Sequence, residues 1–396
     1  MKNIYSLNKN ILNTEVQDFI NQNLNSDISK LLFKGSPFDG VSIKELAEQI
    51  EAKKRSQQKL PTWFKSKNIY YPNKLNIEQT SSEITAKYKA NLISGDSIID
   101  LTGGFGVDCF AFSDRFKNVT HCEINTTLSG VAKHNFKVLD KNNIDCITND
   151  GIEFLQKNKQ QYDWIYIDPS RRNDSKGKVF LLKDCLPNVP ENLDLLFEYT
   201  NNILIKASPI LDITSAINKL NFVKEVHTIA IHNEVKEVIY LLEKNYQDKV
   251  DYKTINIKKE EKQIFNFNQT VQEVNYSAPS NYLYEPNAAI LKAGAFSEIS
   301  TQLKIDKLHK HSHLYTSENL INFPGRRFHI NYISSYDKKL LHKLIPEKKA
   351  NITTRNFPVT VAQIRKKTGL KDGGDTYLFF TKTIDEKYVA LICKKV

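Results

Sequence analysis

A glycine-rich loop between a predicted strand and a predicted helix is the part of this sequence that points most directly to chemistry. In the segment IIDLTGGFGVD, residues 98–108, an apolar strand ends at Asp100 and an apolar helix begins near Val107. The turn between them consists largely of small residues: Thr102, Gly103, Gly104 and Gly106. Residues without a Cβ atom let a ligand lie directly against backbone N–H groups at a helix N-terminus. The loop therefore predicts a nucleoside-containing ligand, and two ligand classes use such a loop, dinucleotides and S-adenosylmethionine.

The spacing of the glycines separates these two ligand classes. A dinucleotide-binding loop needs a third glycine three residues after the second one, for close packing of the helix on the strand. Cys109 occupies that position in this chain. The loop instead reads D-x-T-G-G-x-G-x-D, which is the nucleoside-loop pattern of class I methyltransferases, with Thr102 where their commonest form has glycine. The spacing favours S-adenosylmethionine, and an ordinary tight turn between strand and helix is the alternative.

Three further predicted strands also end in an acidic residue. Glu123 lies about 20 residues beyond the glycines, where a carboxylate can accept hydrogen bonds from both ribose hydroxyls. Asp150 ends the third strand, where an acceptor can meet an adenine amino group, and Asp168 ends the fourth. A carboxylate that caps the following helix would explain any one of them. Four acidic strand ends in register favour a ligand site at the C-terminal edge of the sheet.

The later strands predict the type of sheet. The segment NILIKASP, 202–209, predicts a fifth strand that carries Lys206 near its end. Residues 223–244 predict two strands joined by a tight polar turn at His232. A hairpin that closes an otherwise parallel sheet is typical of class I methyltransferases and is absent from the standard dinucleotide-binding fold. Because strands and helices alternate, we predict an α/β fold with a doubly wound, Rossmann-like sheet.

The segments on either side of this sheet predict three smaller domains. A capping box at Ser42 and Glu45, followed by apolar residues at helical spacing, indicates an N-terminal helical domain. After the hairpin the pattern changes to short strands, and the last segment predicts a basic helix, a glycine turn and two strands. The predicted boundaries are 1–75 for the N-terminal helical domain, 76–245 for the Rossmann-like domain, 246–325 for an α+β domain and 326–396 for a basic domain.

Positive charge is concentrated near the end of the sequence. Residues 326–396 contain 16 Lys and Arg against 6 Asp and Glu, so they carry +10 of the net charge of +11. A basic region attached to a nearly neutral domain is typical of nucleic-acid-binding proteins, and a lysine-rich solvated surface is the alternative. Four basic residues are predicted to follow one helix and its next loop, where they could contact successive phosphates: Arg365, Lys366, Lys367 and Lys371.

Composition argues against several classes of protein. No apolar run approaches the roughly 20 residues that span a bilayer, and the N-terminus lacks the apolar core of a signal peptide. The five cysteines are odd in number and show no C-x-x-C spacing. We therefore predict a cytoplasmic protein with no membrane segment, no disulfide framework and no metal site.

Several segments together resemble one family of enzymes. They are DLTGGFGVD, DPSRR at 168–172, EQTSSEITAKYKA, YEPNAAILKAG and RNFPVTVAQIRKKTGLKDGGDTYLFFT. Their combination resembles the bacterial class I methyltransferases that carry a THUMP-like C-terminal domain. The resemblance implies a Rossmann-like methyltransferase domain that uses S-adenosylmethionine, then a ferredoxin-like domain and then a THUMP-like domain. The glycine loop is also similar to that of the small-subunit rRNA guanine-N2 methyltransferases, and this match implies that Asp108 joins Glu123 and Asp168 in contacting the cofactor.

The loop after the fourth strand suggests how methyl transfer would be catalysed. Transfer from a sulfonium is an in-line displacement, so positioning and acceptance of a proton can supply most of the catalysis. In amino methyltransferases an Asp/Asn-Pro-Pro-aromatic loop holds the reacting amine. The predicted catalytic residues here are Asp168, Pro169 and Ser170, which keep the acceptor and the rigid proline but lack the stacking aromatic ring. The missing ring weakens an assignment to adenine N6.

Basic residues near this loop are candidates for substrate contacts. Arg171 and Arg172 could bind a phosphate or a guanine edge, or they could neutralise neighbouring carboxylates. Lys206, at the end of the fifth strand, is a third candidate. Methylation at C5 of a pyrimidine needs a cysteine nucleophile at the strand end. Because no cysteine lies in the loop after the fourth strand, this reaction is not expected.

The sequence therefore predicts an S-adenosylmethionine-dependent methyltransferase that acts on a base nitrogen of structured RNA, either ribosomal or transfer RNA. Within enzymes, the alternative is a protein or small-molecule methyltransferase whose basic region binds another polyanion. A different class remains open as well, which is a catalytically idle RNA-binding protein that binds S-adenosylmethionine.

Overall fold

Two compact units make up the chain. The computed structural model describes residues 7–171, 181–269 and 273–396. The first unit consists of Met1–Val223 and Tyr240–Tyr246, and the second consists of Lys224–Ile239 and Gln247–Val396. The boundary between them passes through a β-hairpin, so each unit contains part of that hairpin.

The first unit begins with short helices. Their bounds are α1 (Thr14–Gln22), α2 (Ile28–Leu32), α3 (Ile43–Lys59), α4 (Pro61–Lys65), α5 (Lys74–Gln79) and α6 (Glu83–Ala90). Helix α3 begins with the predicted capping box, in which the Ser42 hydroxyl accepts from the Glu45 amide at 3.2 Å. The Glu45 carboxylate in turn accepts from the Ser42 amide at 2.8 Å. This exchange satisfies two backbone donors that the helix itself leaves free, which fixes where α3 begins.

A parallel sheet with alternating helices follows. Its elements are β1 (Gly95–Asp100), α7 (Val107–Phe112), β2 (Phe116–Cys122), α8 (Thr126–Val138), β3 (Ile144–Ile147), α9 (Gly151–Asn158), β4 (Trp164–Ile167), α10 (Val189–Tyr199), β7 (Asn202–Ala207) and α11 (Ile213–Ile217). Two short strands between β4 and α10, β5 (Ser170–Arg171) and β6 (Cys185–Leu186), form a separate antiparallel ladder. The strand order is β3-β2-β1-β4-β7. Strand order therefore reverses between β1 and β4, and in such sheets ligands bind at the carboxyl ends of the strands beside this point.

The register of these strands brings the predicted site residues to one edge. Asp100, the last residue of β1, lies opposite His121 of β2 and Tyr166 of β4. The antiparallel hairpin expected at the end of the sheet is β8 (Val223–Ile231) and β9 (Glu234–Glu243). In the strand order β9 follows β7, and β8 follows β9. The predicted α/β fold with a Rossmann-like sheet is confirmed.

The second unit contains the rest of the chain. Its elements are β10 (Asp251–Ile257), β11 (Lys262–Asn268), β12 (Tyr282–Pro286), α12 (Ala288–Ala293), α13 (Glu298–Leu303), β13 (Asp306–Lys307), β14 (Tyr315–Ser317), β15 (Gly325–Ser334), α14 (Lys338–Leu344), β16 (Asn351–Arg355), α15 (Val361–Thr368), β17 (Thr376–Lys382) and β18 (Tyr388–Lys395). Strand β10 pairs with β8 in parallel and β11 pairs with β10. These two strands, which we predicted in the 246–325 domain, thus extend the hairpin.

A second sheet of seven strands completes this unit. Its order is β13-β14-β12-β15-β18-β17-β16. One apolar cluster includes Leu283, Phe328 and Phe379. Another, which includes Leu341 of α14 and Ile364 of α15, packs those helices on the sheet. The predicted helix, glycine turn and final hairpin correspond to α15, β17 and β18, whereas β16 was not predicted. No helix among the described residues is long and apolar enough to cross a membrane.

Candidate active site

Asp100 organises the start of the glycine loop. One of its carboxylate oxygens accepts from the Thr102 amide at 2.9 Å and from the Thr102 hydroxyl at 3.1 Å. The other accepts from the Cys109 thiol at 3.4 Å. Burial raises the pKa of Asp100 to about 7. Asp100 therefore holds the loop in place from within the protein, and its predicted contact with a cofactor stays a prediction.

Thr102 joins the ends of two neighbouring strands. Its hydroxyl donates to Asp100 and accepts from the backbone amide of Asp168 at 2.7 Å. Asp168 follows β4, so this single hydroxyl connects the carboxyl ends of β1 and β4. A glycine at this position could not make either bond. The residue that departs from the commonest form of the loop thus has a positioning role.

The glycines of the loop are required for two different reasons. A Cβ atom on Gly103 would overlap the His121 ring, and one on Gly106 would overlap Phe136. Gly104 has φ of +55° but a Cβ there would meet nothing closer than 3.7 Å. Gly103 and Gly106 are therefore needed for packing within the protein, whereas Gly104 has open space beside its main chain where a ligand can approach.

His121 is a residue of this site that the sequence analysis missed. Its Nε2–H donates to the carbonyl oxygen of Gly104 at 3.1 Å, and its ring lies edge-on to Phe136. Burial lowers the pKa of His121 to about 4, so the imidazole is neutral at pH 7. A histidine within an apolar predicted strand was the available signal, since a buried imidazole needs a local hydrogen-bond partner.

Glu123 has the geometry expected of a ribose acceptor. One carboxylate oxygen accepts from the Gly104 amide at 2.8 Å, and the other accepts from the Asn125 amide at 2.7 Å. A carboxylate oxygen has two lone-pair directions, so each oxygen keeps one for a further donor. Two backbone amides fix the carboxylate beside the open face of Gly104.

Asp108 lies in a buried network beneath the loop. Its carboxylate accepts from Ser81 at 2.8 Å and Tyr166 at 2.9 Å, and it pairs with the Lys89 ammonium at 3.1 Å. Burial would raise its pKa, but the charges of Lys89 and Lys206, with these hydrogen bonds, lower it instead. Asp108 therefore stays charged and fastens α6 to the sheet, and its predicted contact with the cofactor stays a prediction.

The predicted catalytic acceptor and one predicted substrate contact form an ion pair. The Lys206 ammonium, at the end of β7, pairs with one carboxylate oxygen of Asp168. Pro169 follows, and Ser170 pairs with Leu186 in the short ladder of β5 and β6. The side chain of Arg171 and the whole of Arg172 lie outside the described residues. The structure thus brings Asp168, Lys206 and Thr102 together at one edge of the sheet.

Asp150 is the predicted residue whose contacts differ most from the expected ones. One of its oxygens accepts from the backbone amides of Ile152 at 2.9 Å and Glu153 at 3.1 Å. It therefore caps α9, as the alternative explanation required. The next residue, Gly151, packs so closely on Leu101 that a Cβ atom would overlap it. The predicted contact of Asp150 with adenine stays a prediction.

The predicted phosphate-contacting residues of the second unit are not equivalent. Arg365 donates to the carbonyl oxygens of Leu370 and Ala350, both at 3.2 Å, and pairs with Asp372. Lys367 lies over the Tyr336 ring at 4.1 Å. Arg365 therefore stabilises the end of α15 and its next loop. The other two side chains are exposed: Lys366 and Lys371.

Neither a metal site nor a disulfide is formed by the described residues. No group of three or more His, Cys, Asp or Glu in the described part of the chain could hold a metal ion. None of the five cysteines, all of them in the described part of the chain, forms a disulfide, and burial raises the pKa of Cys122 and Cys393 to about 12. The thiols of Cys122 and Cys393 are therefore protonated at neutral pH.

Comparisons with known proteins match different parts of the chain. Residues 282–324 match the model of a ferredoxin-like domain, and residues 325–395 match the model of a THUMP-like domain. A crystal structure of a "putative methyltransferase" from Porphyromonas gingivalis W83 superposes with a TM-score of 0.87 and 32% identity, covering 98% of each chain. A second relative, named as an uncharacterized RNA methyltransferase of Mycoplasma mobile, is 30% identical over 150 residues, which are 37% of this chain. That match spans 41% of the relative's own length.

Proposed function

Because the chain belongs to the class I, S-adenosylmethionine-dependent methyltransferases that carry a THUMP-like C-terminal domain, we propose that it methylates a base nitrogen of structured RNA, either ribosomal or transfer RNA. The observation that carries this proposal is one chain that joins a methyltransferase sheet to a region with 16 Lys and Arg against 6 Asp and Glu. A basic region increases the local concentration of a polyanion such as RNA. The same charges argue against a small neutral substrate.

The residues present fit S-adenosylmethionine. Glu123 keeps a free lone pair on each oxygen, which suits two adjacent ribose hydroxyls. The open face of Gly104 gives the nucleoside access to the main chain. We propose that Asp100, Thr102, Gly103 and Gly106 support this cradle, and that Asp150 and Asp108 complete it. When bound, the cofactor supplies an electrophilic methyl group.

Asp168 would hold the reacting amine. Lys206 pairs with one of its oxygens, which leaves the other to accept a hydrogen bond from the amine. Thr102 fixes the Asp168 backbone, and Pro169 restricts the turn that follows. The amine loses a proton as it gains the methyl group, and a carboxylate at this place can accept it. We propose that Ser170, Arg171 and Arg172 contact the rest of the nucleotide.

Transfer of a labelled methyl group tests this function. RNA from cells that lack the gene is incubated with the protein and S-adenosylmethionine carrying a tritiated methyl group, and tRNA and ribosomal RNA are then separated. We expect label in one of the two fractions and none in RNA from cells that contain the gene, because those sites are already methylated. Label in protein or in small molecules alone would support the alternative enzyme, and cofactor binding without any transfer would support an idle RNA-binding protein. The proposed reaction on bacterial ribosomal or transfer RNA takes place in the cytoplasm.

A further inference from the structure

A buried carboxylate in the second unit holds two arginines. Glu285, in the YEPNAAILKAG segment, is 3% exposed. One of its oxygens accepts from Arg326 Nε at 2.6 Å. The other accepts from Arg355 Nη2 at 2.8 Å and Nε at 3.2 Å. Glu285 precedes Arg326 by 41 residues and Arg355 by 70, so the fold assembles this cluster from three separate segments.

The cluster has more positive charge and more donors than Glu285 can use. One carboxylate against two guanidinium groups leaves a net charge of +1. Each guanidinium has five N–H donors, and the bonds to Glu285 use only some of them. The side chains of Arg326 and Arg355 are 38% and 36% exposed, while that of Glu285 is 4% exposed. A buried ion cluster is weak evidence for a role in stability, because apolar residues of similar volume often replace one without loss.

Both arginines are held in one orientation before any ligand arrives. The Arg326 guanidinium lies 5.5 Å from the centre of the Phe328 ring and 5.9 Å from that of Phe379. Beside Arg355, the Asn356 side chain donates to His309 Nδ1 at 3.0 Å, which anchors that end of β16. Side chains that are already ordered lose less conformational entropy when they bind.

Arg355 is one of several basic groups whose charges act on His313. Burial lowers the pKa of His313 to about 4, and the charges of Lys307, Arg355 and His311 lower it as well. Lys307, Arg355 and His311 are therefore each close enough to His313 for their charges to act on it. A region of this kind attracts an anion more strongly than an isolated arginine does.

We propose that Arg326 and Arg355, aligned by Glu285, bind a phosphate group of the RNA backbone. Guanidinium groups match the oxygens of a phosphate through paired hydrogen bonds, which an ammonium group cannot do. The proposal rests on the proposed function, because RNA is the polyanion it names. It differs from the lysine contacts expected along α15, since the two arginines belong to β15 and β16.

Replacement of the whole cluster by glutamine tests this site. The triple variant Glu285→Gln, Arg326→Gln, Arg355→Gln leaves no uncompensated buried charge and lowers the net charge by one. Lys262→Gln, an exposed residue of β11, lowers the net charge by the same amount and is the matched control. Binding of tRNA and ribosomal RNA from cells without the gene is measured at several KCl concentrations. We expect the triple variant to bind at least about tenfold more weakly at 0.1 M KCl, with a salt slope smaller by about one unit, as for one phosphate contact.

Further measurements separate the possible failures. Thermal unfolding shows whether the triple variant is folded, and calorimetry with S-adenosylhomocysteine shows whether its proposed cofactor site is intact. Arg355→Lys keeps the charge but loses the paired hydrogen bonds, and we expect binding about threefold weaker with an unchanged slope. Wild-type affinity and slope in the folded triple variant, with methyl transfer intact, would overturn this site and leave the proposed function standing. If the triple variant is unfolded, the Arg355→Lys variant decides: wild-type affinity for RNA in that variant would overturn the proposed phosphate site. Wild-type protein that binds no RNA would overturn both proposals.

Discussion

Each unit contains an ion pair in which one partner is exposed, and the exposed partner differs between the two units. In the first unit the cation is hidden and the acid is accessible, because the side chains of Lys206 and Asp168 are 11% and 32% exposed. In the second unit the acid is hidden and the cations are accessible, as Glu285 and Arg326 are 4% and 38% exposed. The exposed partner determines which ligand charge can bind. We therefore expect the first unit to offer acceptors to hydroxyl and amino groups, and the second to offer donors to phosphates.

The largest expected effect tests whether the hidden cations of the first unit are structural. Lys89→Met leaves the Asp108 carboxylate buried without its ammonium partner, and breaking a buried pair in this way costs about 3 to 5 kcal/mol. The free energy of unfolding, measured in denaturant, should fall by that amount. Lys87→Met, on the exposed side of the same helix, is the control and should have little effect. Equal stabilities for the two variants would contradict this role of Lys89.

Loss of the exposed acid should have nearly as large an effect on catalysis. Asp168→Ala removes the proposed acceptor of the reacting amine, and methyl transfer should fall by about 100-fold or more, the usual contribution of a general base. The affinity for S-adenosylhomocysteine should change far less. Asp145→Ala, an exposed carboxylate of β3, is the control. A variant at position 168 that methylates RNA at the wild-type rate would show that Asp168 only positions the chain.

Glu123, the proposed acceptor for the ribose hydroxyls, should contribute to binding of the cofactor rather than to methyl transfer itself. We expect S-adenosylhomocysteine to bind with a micromolar dissociation constant, about −8 kcal/mol. Glu123→Ala should weaken this by about 1.5 to 3 kcal/mol, the size of charge-assisted hydrogen bonds. Calorimetry measures both values, with the exposed Glu153→Ala as control. Tight binding of NAD without measurable binding of S-adenosylhomocysteine would contradict the cofactor assignment.

The smallest expected effect concerns the connection between β1 and β4. Thr102→Val removes the hydroxyl that accepts from the Asp168 amide and donates to Asp100. Only the first of these bonds positions Asp168 directly, and the loss of one hydrogen bond costs about 1 kcal/mol. The rate of methyl transfer should therefore fall about fivefold, while Thr102→Ser, which keeps the hydroxyl, should stay near the wild-type rate. If serine and valine give the same rate, the hydroxyl has no positioning role.

Local patterns explain how much of this molecule the sequence could predict. The ends of the strands at Asp100 and Asp168 can be predicted because a glycine loop follows the first and Pro169 follows the second. The fold class follows from the alternation of strands and helices. Asp150 shows the limit of such patterns, because an acid that ends a strand also caps the next helix, and the cap bonds are the ones observed. The contact of Gly103 with His121 depends on packing between strands, which spacing does not reveal.

Contacts between residues that are far apart in the sequence could not be predicted for a similar reason. The basic composition of residues 326–396 was apparent, but it ranked Arg365 with the phosphate contacts, whereas its guanidinium binds carbonyl oxygens of its own unit. The partner of Arg355 is Glu285, 70 residues earlier. Only the folded chain shows that this acid is buried and that both of its arginines remain accessible.

The most direct test of the central claim is a mass-spectrometric comparison of modified nucleosides in RNA from cells with and without the gene. The account predicts that one base-methylated nucleoside of ribosomal or transfer RNA disappears with the gene. The wild-type gene should restore it and the Asp168→Ala gene should not. An unchanged set of methylated nucleosides in both RNA fractions would contradict the assignment of this protein as an RNA methyltransferase.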